Sequence, residues 1–167
     1  VDHGRIPEFE RDPGMGVSVI DPEGARVGNF SYAAAPQLPY VISAAFIALP
    51  TDGEWMDYRQ ARTPGALWLA LIVVFGFLLA HRVTGSTLVA GGTATMLAAW
   101  PQLTFVSAYV NTDTFTLMAS TGLMWSWWRG WGSGWRIRDA VLSGFFIGLV
   151  LQGKPTGYVI AGLTLIV

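Results

Sequence analysis

Long apolar runs broken by short polar stretches fill the chain from Pro64 onward, and each run predicts a helix. "PGALWLALIVVFGFLLA" (64–80) is long enough to cross a hydrocarbon core of roughly 30 Å, with Pro64 suited to a first helical turn. "STLVAGGTATMLAAWPQLTFV" (86–106) is a second crossing, weakened by Gly91 and Gly92. "TFTLMASTGLMWSWW" (114–128) is a third, ending in Trp125, Trp127 and Trp128 where an aromatic belt would lie. "AVLSGFFIGLVLQG" (140–153) has fourteen uncharged residues and spans only if Arg138 and Lys154 snorkel to opposite interfaces. "TGYVIAGLTLIV" (156–167) is still apolar where the sequence stops, which reads as a chain cut inside a helix.

The N-terminal third is different. Residues 1–37 carry Pro, Gly and scattered charges ("VDHGRIPEFERDPGMG", "DPEGARVG") without a sustained period, which predicts an irregular, solvent-facing segment. It has neither the basic start nor the apolar core of a signal peptide. "LPYVISAAFIAL" (38–49) is apolar but only about two-thirds of a crossing in length, so it predicts a membrane-surface helix. The expected fold class is therefore all-α: a polytopic transmembrane helical bundle with little or no sheet. Its helices are expected near 64–82, 86–106, 113–129, 138–153 and from 156 onward. The domain division is expected at 63/64, with an outer-face loop and juxtamembrane helix in 1–63 and about five spans in 64–167.

Composition supports lipid as the solvent: 52% hydrophobic residues, eight Trp, twenty Gly and only 13% charged residues in 167. The net charge of −1 gives no reason to expect a nucleic-acid partner. The absence of Cys excludes disulfides, thiolate nucleophiles and Cys-based zinc sites, and His3 and His81 are too far apart in sequence to suggest a metal constellation.

The basic residues set an orientation. His81, Arg82 and the loop "RGWGSGWRIRD", with Arg129, Arg136 and Arg138, are separated by two crossings and must share one side, which the positive-inside rule makes cytoplasmic. Residues 1–63, the Asn111/Asp113 turn and the Gly153-Lys154-Pro155 turn then converge on the outer face.

Candidate chemistry follows from that convergence. The stretch from Val83 to Thr112 is free of charge, and Asn111 and Asp113 stand at its end. They suit capping of the helix that begins near Thr114, and equally a polar site at a helix mouth. Lys154 in "QGKPTG" reads as an interfacial snorkeler or as a phosphate ligand. "GKPTG" is not expected to bind nucleotide as a Walker loop. Gly144 and Gly148 form a GxxxG face expected to pack another helix, and the Trp/Gly-rich "WSWWRGWGSGW" reads as an interfacial anchor.

The order of "PQLPYVISAAF", "YRQARTPGALWLALIVVFGFLLAHRVTG", "WPQLTFVSAYVNTDTFTLMASTGLMW" and "VLSGFFIGLVLQGKPTGYVIAG" resembles the N-terminal half of the GT-C superfamily of polytopic glycosyltransferases, which includes protein O-mannosyltransferases and aminoarabinose transferases. The resemblance covers roughly residues 36–167. "PQLPY" stands where the family pairs its prolines and tyrosines, and Gly153-Lys154 where it has Thr-Lys. The family's acidic pair in the first outer loop has no counterpart, and "DHGRIPEF" resembles the stretch that follows that pair. The first helix and the acidic pair are thus expected before Val1, with Glu8, Glu10 and Asp12 as stand-ins.

The resemblance implies a multi-pass protein of the bacterial inner membrane. Such a protein transfers a sugar from a polyprenyl-phosphate donor to an acceptor at the outer face. Asp113, with Asn111, would carry the catalytic carboxylate role near the donor phosphate, with a divalent cation as candidate cofactor at Asp113. Lys154 would balance phosphate charge, with Arg59 and Arg62 as further donor-phosphate ligands. From the residues alone, Arg59 and Arg62 pair equally well with Asp52, Glu54 or Asp57. Membrane lipids are the other expected partners. The alternative is a non-catalytic membrane scaffold or transporter subunit, although no ionisable group lies deep in the predicted spans, as a transporter would require.

Overall fold

The computed structural model describes residues 16–20, 26–31, 38–49, 54–154 and 157–164. The chain forms two compact units, Val1–Gln37 and Leu38–Val167. The first contains an antiparallel hairpin of β1 (Gly16–Ile20) and β2 (Arg26–Ser31), paired from Gly16↔Ser31 to Ile20↔Arg26 with an irregularity between Val19 and Ile20. This corrects the irregular reading at residues 16–20 and 26–31. Glu8, Glu10 and Asp12 lie outside the described residues.

The second unit is helical throughout its described residues, with α1 (Leu38–Ile47), α2 (Glu54–Thr84), α3 (Thr87–Ala99), α4 (Pro101–Ser107), α5 (Thr112–Ser133), α6 (Ile137–Leu151) and α7 (Gly157–Thr164). The helical part of the expected fold class holds. The two compact units divide at 37/38, and α2 starts at Glu54 and continues past position 63. Pro64 therefore lies inside a helix and not in its first turn. It cannot donate to the carbonyl four residues back.

Pro64 and Gly65 are both buried. The Ser107 carbonyl presses on Gly65 so closely that a Cβ there would collide with it. That contact docks the turn between α4 and α5 onto α2.

The expected second crossing is broken. Trp100 takes φ −71° and ψ 110°, and Pro101 starts a new helix. The proline ring disfavours helical geometry at the residue before it and removes one ladder donor. The thirteen residues of α3 reach only about 20 Å, short of a hydrocarbon core. Of the described helices, α2 alone contains a segment long and apolar enough to cross a membrane, Arg59–Thr84.

Two apolar clusters hold the bundle. Trp68 and Ile72 of α2 meet Leu103 of α4 and Phe115 and Met118 of α5, with Leu38 and Ile42 of α1 packed against them. Ala119 and Leu123 of α5 meet Phe146 and Val150 of α6 and Ala161 of α7. On α5 these positions fall at i, i+3, i+4 and i+8, one helical face. α1 is thus docked on the bundle through Leu38 and Ile42.

The close approach between α5 and α6 uses Gly122, where the Phe146 ring occupies the space of a Cβ. The GxxxG expectation fails among the described residues: nothing lies within 4 Å of a Cβ built on Gly144 or Gly148. α6 turns Ser143, Phe146 and Val150 inward, and the glycines fall on the other face. Trp125 and Trp127 also differ from a belt, since Trp125 stacks on Phe75 at 5.6 Å and Trp127 meets Trp135 edge-on at 5.7 Å. Trp128 is 49% exposed.

Candidate functional site: a carboxylate–ammonium pair beside an apolar cavity

Asn111 is the N-cap of α5, with φ −148° and ψ 168°. Its Oδ1 accepts from the backbone N–H groups of Asp113 at 2.9 Å and Thr114 at 3.2 Å, while its Nδ2 donates to the Val106 carbonyl at 2.7 Å. The amide therefore closes the first turn of α5 and ties it to α4. Replacing Asn111 by Ala is expected to cost about 1 kcal/mol through the lost cap. Asn111→Asp should retain most of that stability, and thermal unfolding of the two variants checks the difference.

With the cap made by Asn111, the Asp113 side chain is free to point elsewhere. Its Oδ1 accepts a hydrogen bond from Lys154 Nζ at 2.7 Å, across forty-one positions of sequence. Small residues bring the two helices this close. Gly153 is buried, and a Cβ there would run into Thr116 Oγ1, so the end of α6 sits directly on the first turn of α5. Gly157 leaves similar room, with Thr116 Cγ2 at 3.1 Å and Val150 Cγ1 at 2.9 Å from its notional Cβ. The pair itself is solvent-accessible, Lys154 being 46% and Asp113 51% exposed. Such a pair contributes about 0–1 kcal/mol to stability.

A cavity of about 660 Å³ opens beside this pair, between α2, the α3–α4 segment and α5. Ile72, Leu79, Leu97, Leu103 and Leu117 line it, and among the described residues Asp113 is the one charged side chain on its wall. The arrangement offers an apolar slot with an anion and a cation at one end. That end can take a group carrying a charged head on a hydrocarbon chain.

Arg62 reaches the same end of the bundle, its guanidinium lying 5.2 Å from the centre of the Tyr109 ring. Arg59, one turn earlier, is exposed. The side chains of Glu54 and Asp57 and the whole of Asp52 lie outside the described residues. Among the described residues no group of three metal-binding side chains comes together. Among the described residues Asp113 supplies a single carboxylate at this end, and Lys154 already engages it.

The opposite end of the bundle holds a residue that the sequence reading passed over. Asp139, fully buried, accepts from Ser133 Oγ at 2.6 Å through Oδ2, while its Oδ1 lies 3.0 Å from Arg129 Nε and 4.0 Å from Arg138 Nε. This cluster ties the end of α5 to the start of α6. The available signal was an aspartate in a first helical turn directly after Arg136 and Arg138. Arg82 belongs to this end as well, its Nη2 lying 3.7 Å from a Cβ built on Gly132. Arg82 and the Arg129–Arg138 loop thus share one end of the bundle, and Asn111, Asp113 and Lys154 share the other.

The described residues form a largely helical protein in which one helix is both long and apolar enough to cross a membrane, with a charged pair set beside an apolar cavity. No family model, curated protein or solved structure matches the chain.

Proposed function

We propose that this chain forms part of a multi-pass glycosyltransferase of a bacterial inner membrane, moving a sugar from a polyprenyl-phosphate donor to an acceptor at the outer face. The observation that carries the reading is the Asp113–Lys154 pair at the edge of the apolar cavity. The cavity suits an isoprenoid chain, and the ammonium suits the phosphate that joins it to the sugar.

In the reaction the bond between the sugar's anomeric carbon and the phosphate oxygen breaks as the acceptor oxygen bonds to that carbon. Lys154 balances the charge that develops on the departing lipid phosphate. Asp113, released from Lys154 when phosphate takes its place, accepts the acceptor's proton. Arg62, above Tyr109, adds positive charge at the same end.

The membrane part of the proposal draws on exposed apolar side chains. Leu88, Met96, Val141 and Val159 stand 66–86% exposed on three different helices, as side chains facing lipid would. Within α2 the most apolar window is only 28% buried, whereas the core helix of a soluble protein is mostly covered.

Single-cysteine labelling tests the arrangement, and the chain contains no Cys to interfere. Cysteines at positions 111 and 136 are expected to react with impermeant reagent from opposite sides of the membrane. Access from one side only would sink the multi-pass reading.

A further inference from the structure

The end of the bundle remote from the cavity pair carries a charge pattern that the proposed transfer does not use. Four arginines, Arg82, Arg129, Arg136 and Arg138, gather there against a single carboxylate in the segments that build it. That carboxylate, Asp139, is buried and engaged by Arg129 and Ser133. Arg82 and Arg136 are exposed, and the Arg138 side chain is 60% exposed. Arg136 stands at the N-cap of α6, where no side chain caps the helix.

Beside these arginines lie large apolar groups that water solvates poorly. Trp131 is 65% exposed, Trp128 49% and Trp135 43%, and Ile137 at the start of α6 is 85% exposed. Tryptophan next to arginine at the ends of apolar helices matches the chemistry of a bilayer boundary, where hydrocarbon and phosphate meet within a few ångströms. A soluble polyanion would satisfy the arginines and leave the indoles and Ile137 in water.

We propose that Arg82, Arg136 and Arg138, rimmed by Trp128, Trp131 and Trp135, form a binding surface for the phosphate headgroups of anionic phospholipids. Guanidinium groups pair with phosphate oxygens through two parallel hydrogen bonds, and the indoles seat the adjoining glycerol and acyl region. Asp139 engages Arg129 closely and Arg138 at 4.0 Å, while Arg82 and Arg136 are exposed and the Arg138 side chain stays 60% exposed. The proposal rests on the membrane reading given above, without depending on the transferase activity.

The test uses the full chain reconstituted in phosphatidylcholine bilayers. A minor component is either brominated phosphatidylglycerol or brominated phosphatidylcholine, and tryptophan quenching is read. Five of the eight tryptophans lie between Trp125 and Trp135, so the signal is weighted toward this end. Phosphatidylglycerol is expected to associate roughly fivefold more strongly than phosphatidylcholine, or better, given the usual contribution of each surface arginine.

The triple variant Arg82→Gln/Arg136→Gln/Arg138→Gln should bring the two lipids to parity while quenching by phosphatidylcholine and helicity stay unchanged. If the triple variant loses helicity, Arg136→Gln alone should lower the preference measurably. Parity in the parent chain, or a preference that survives these substitutions, overturns the proposal. Absence of quenching by either brominated lipid would instead sink the membrane reading, and this surface with it.

Discussion

Asp113→Asn and Lys154→Met are each expected to lower sugar transfer by about a hundredfold or more, the range typical of losing a proton acceptor or a charge that stabilises a leaving group. The same substitutions should change folding stability by less than about 1 kcal/mol, because an ion pair exposed on both sides is worth little in water. Those exposures, 46% and 51%, are what separate the two readouts. Initial rates per folded molecule, set beside unfolding curves in detergent, measure both quantities. Because the two side chains touch, the double variant should be little worse than either single one, as is usual for groups acting as a unit. Unchanged activity per folded molecule would return the pair to its structural alternative, a first-turn acid and a snorkeling lysine.

Phe115→Ala is expected to have the largest effect on stability, about 3–5 kcal/mol if its surroundings fail to collapse. The ring is 2% exposed and meets Trp68 edge-on at 5.2 Å, at the centre of the cluster that joins α1, α2, α4 and α5. In lipid the solvent is as apolar as the core, so the loss comes from the cavity and missing dispersion contacts, which favours the lower end of that range. Leu88→Ala serves as the control. Leu88 is 86% exposed, and its truncation should stay within about 0.5 kcal/mol. Equal stabilities of the two variants would contradict the packing of this cluster.

Much of the fold is legible in local sequence. The run from Pro64 to Ala80 and the run after Asp113 become α2 and α5, the length of 38–49 limits it to the short helix α1, and Asn111 caps the helix that follows it. These features rest on interactions within a few residues: apolar run length, N-cap geometry and the backbone ladder. The break at Trp100 was only half legible: a proline disfavours helix at the residue before it, yet α2 runs on through Thr63 and Pro64 while the chain breaks at Trp100 and Pro101. The hairpin was harder. Its strands hold only five and six residues, too few for alternation to stand out, although Asp-Pro-Glu-Gly at 21–24 is a turn signal.

Which helix faces meet is another matter. These helices are apolar nearly all round, so their sequences carry little directional signal. Shape decides instead. α6 buries Phe146 against Gly122 and leaves Gly144 and Gly148 uncovered, although the glycine spacing pointed to the opposite face. The same holds for the candidate site. The sequence by itself placed Asp113 and Lys154 at turns on one end of a helical chain. Only the seating of Gly153 on Thr116 brings the ammonium to 2.7 Å from the carboxylate. That contact spans forty-one residues, and it exists because a missing Cβ lets two helices approach, a steric fact of the tertiary packing that neither residue's own neighbours encode.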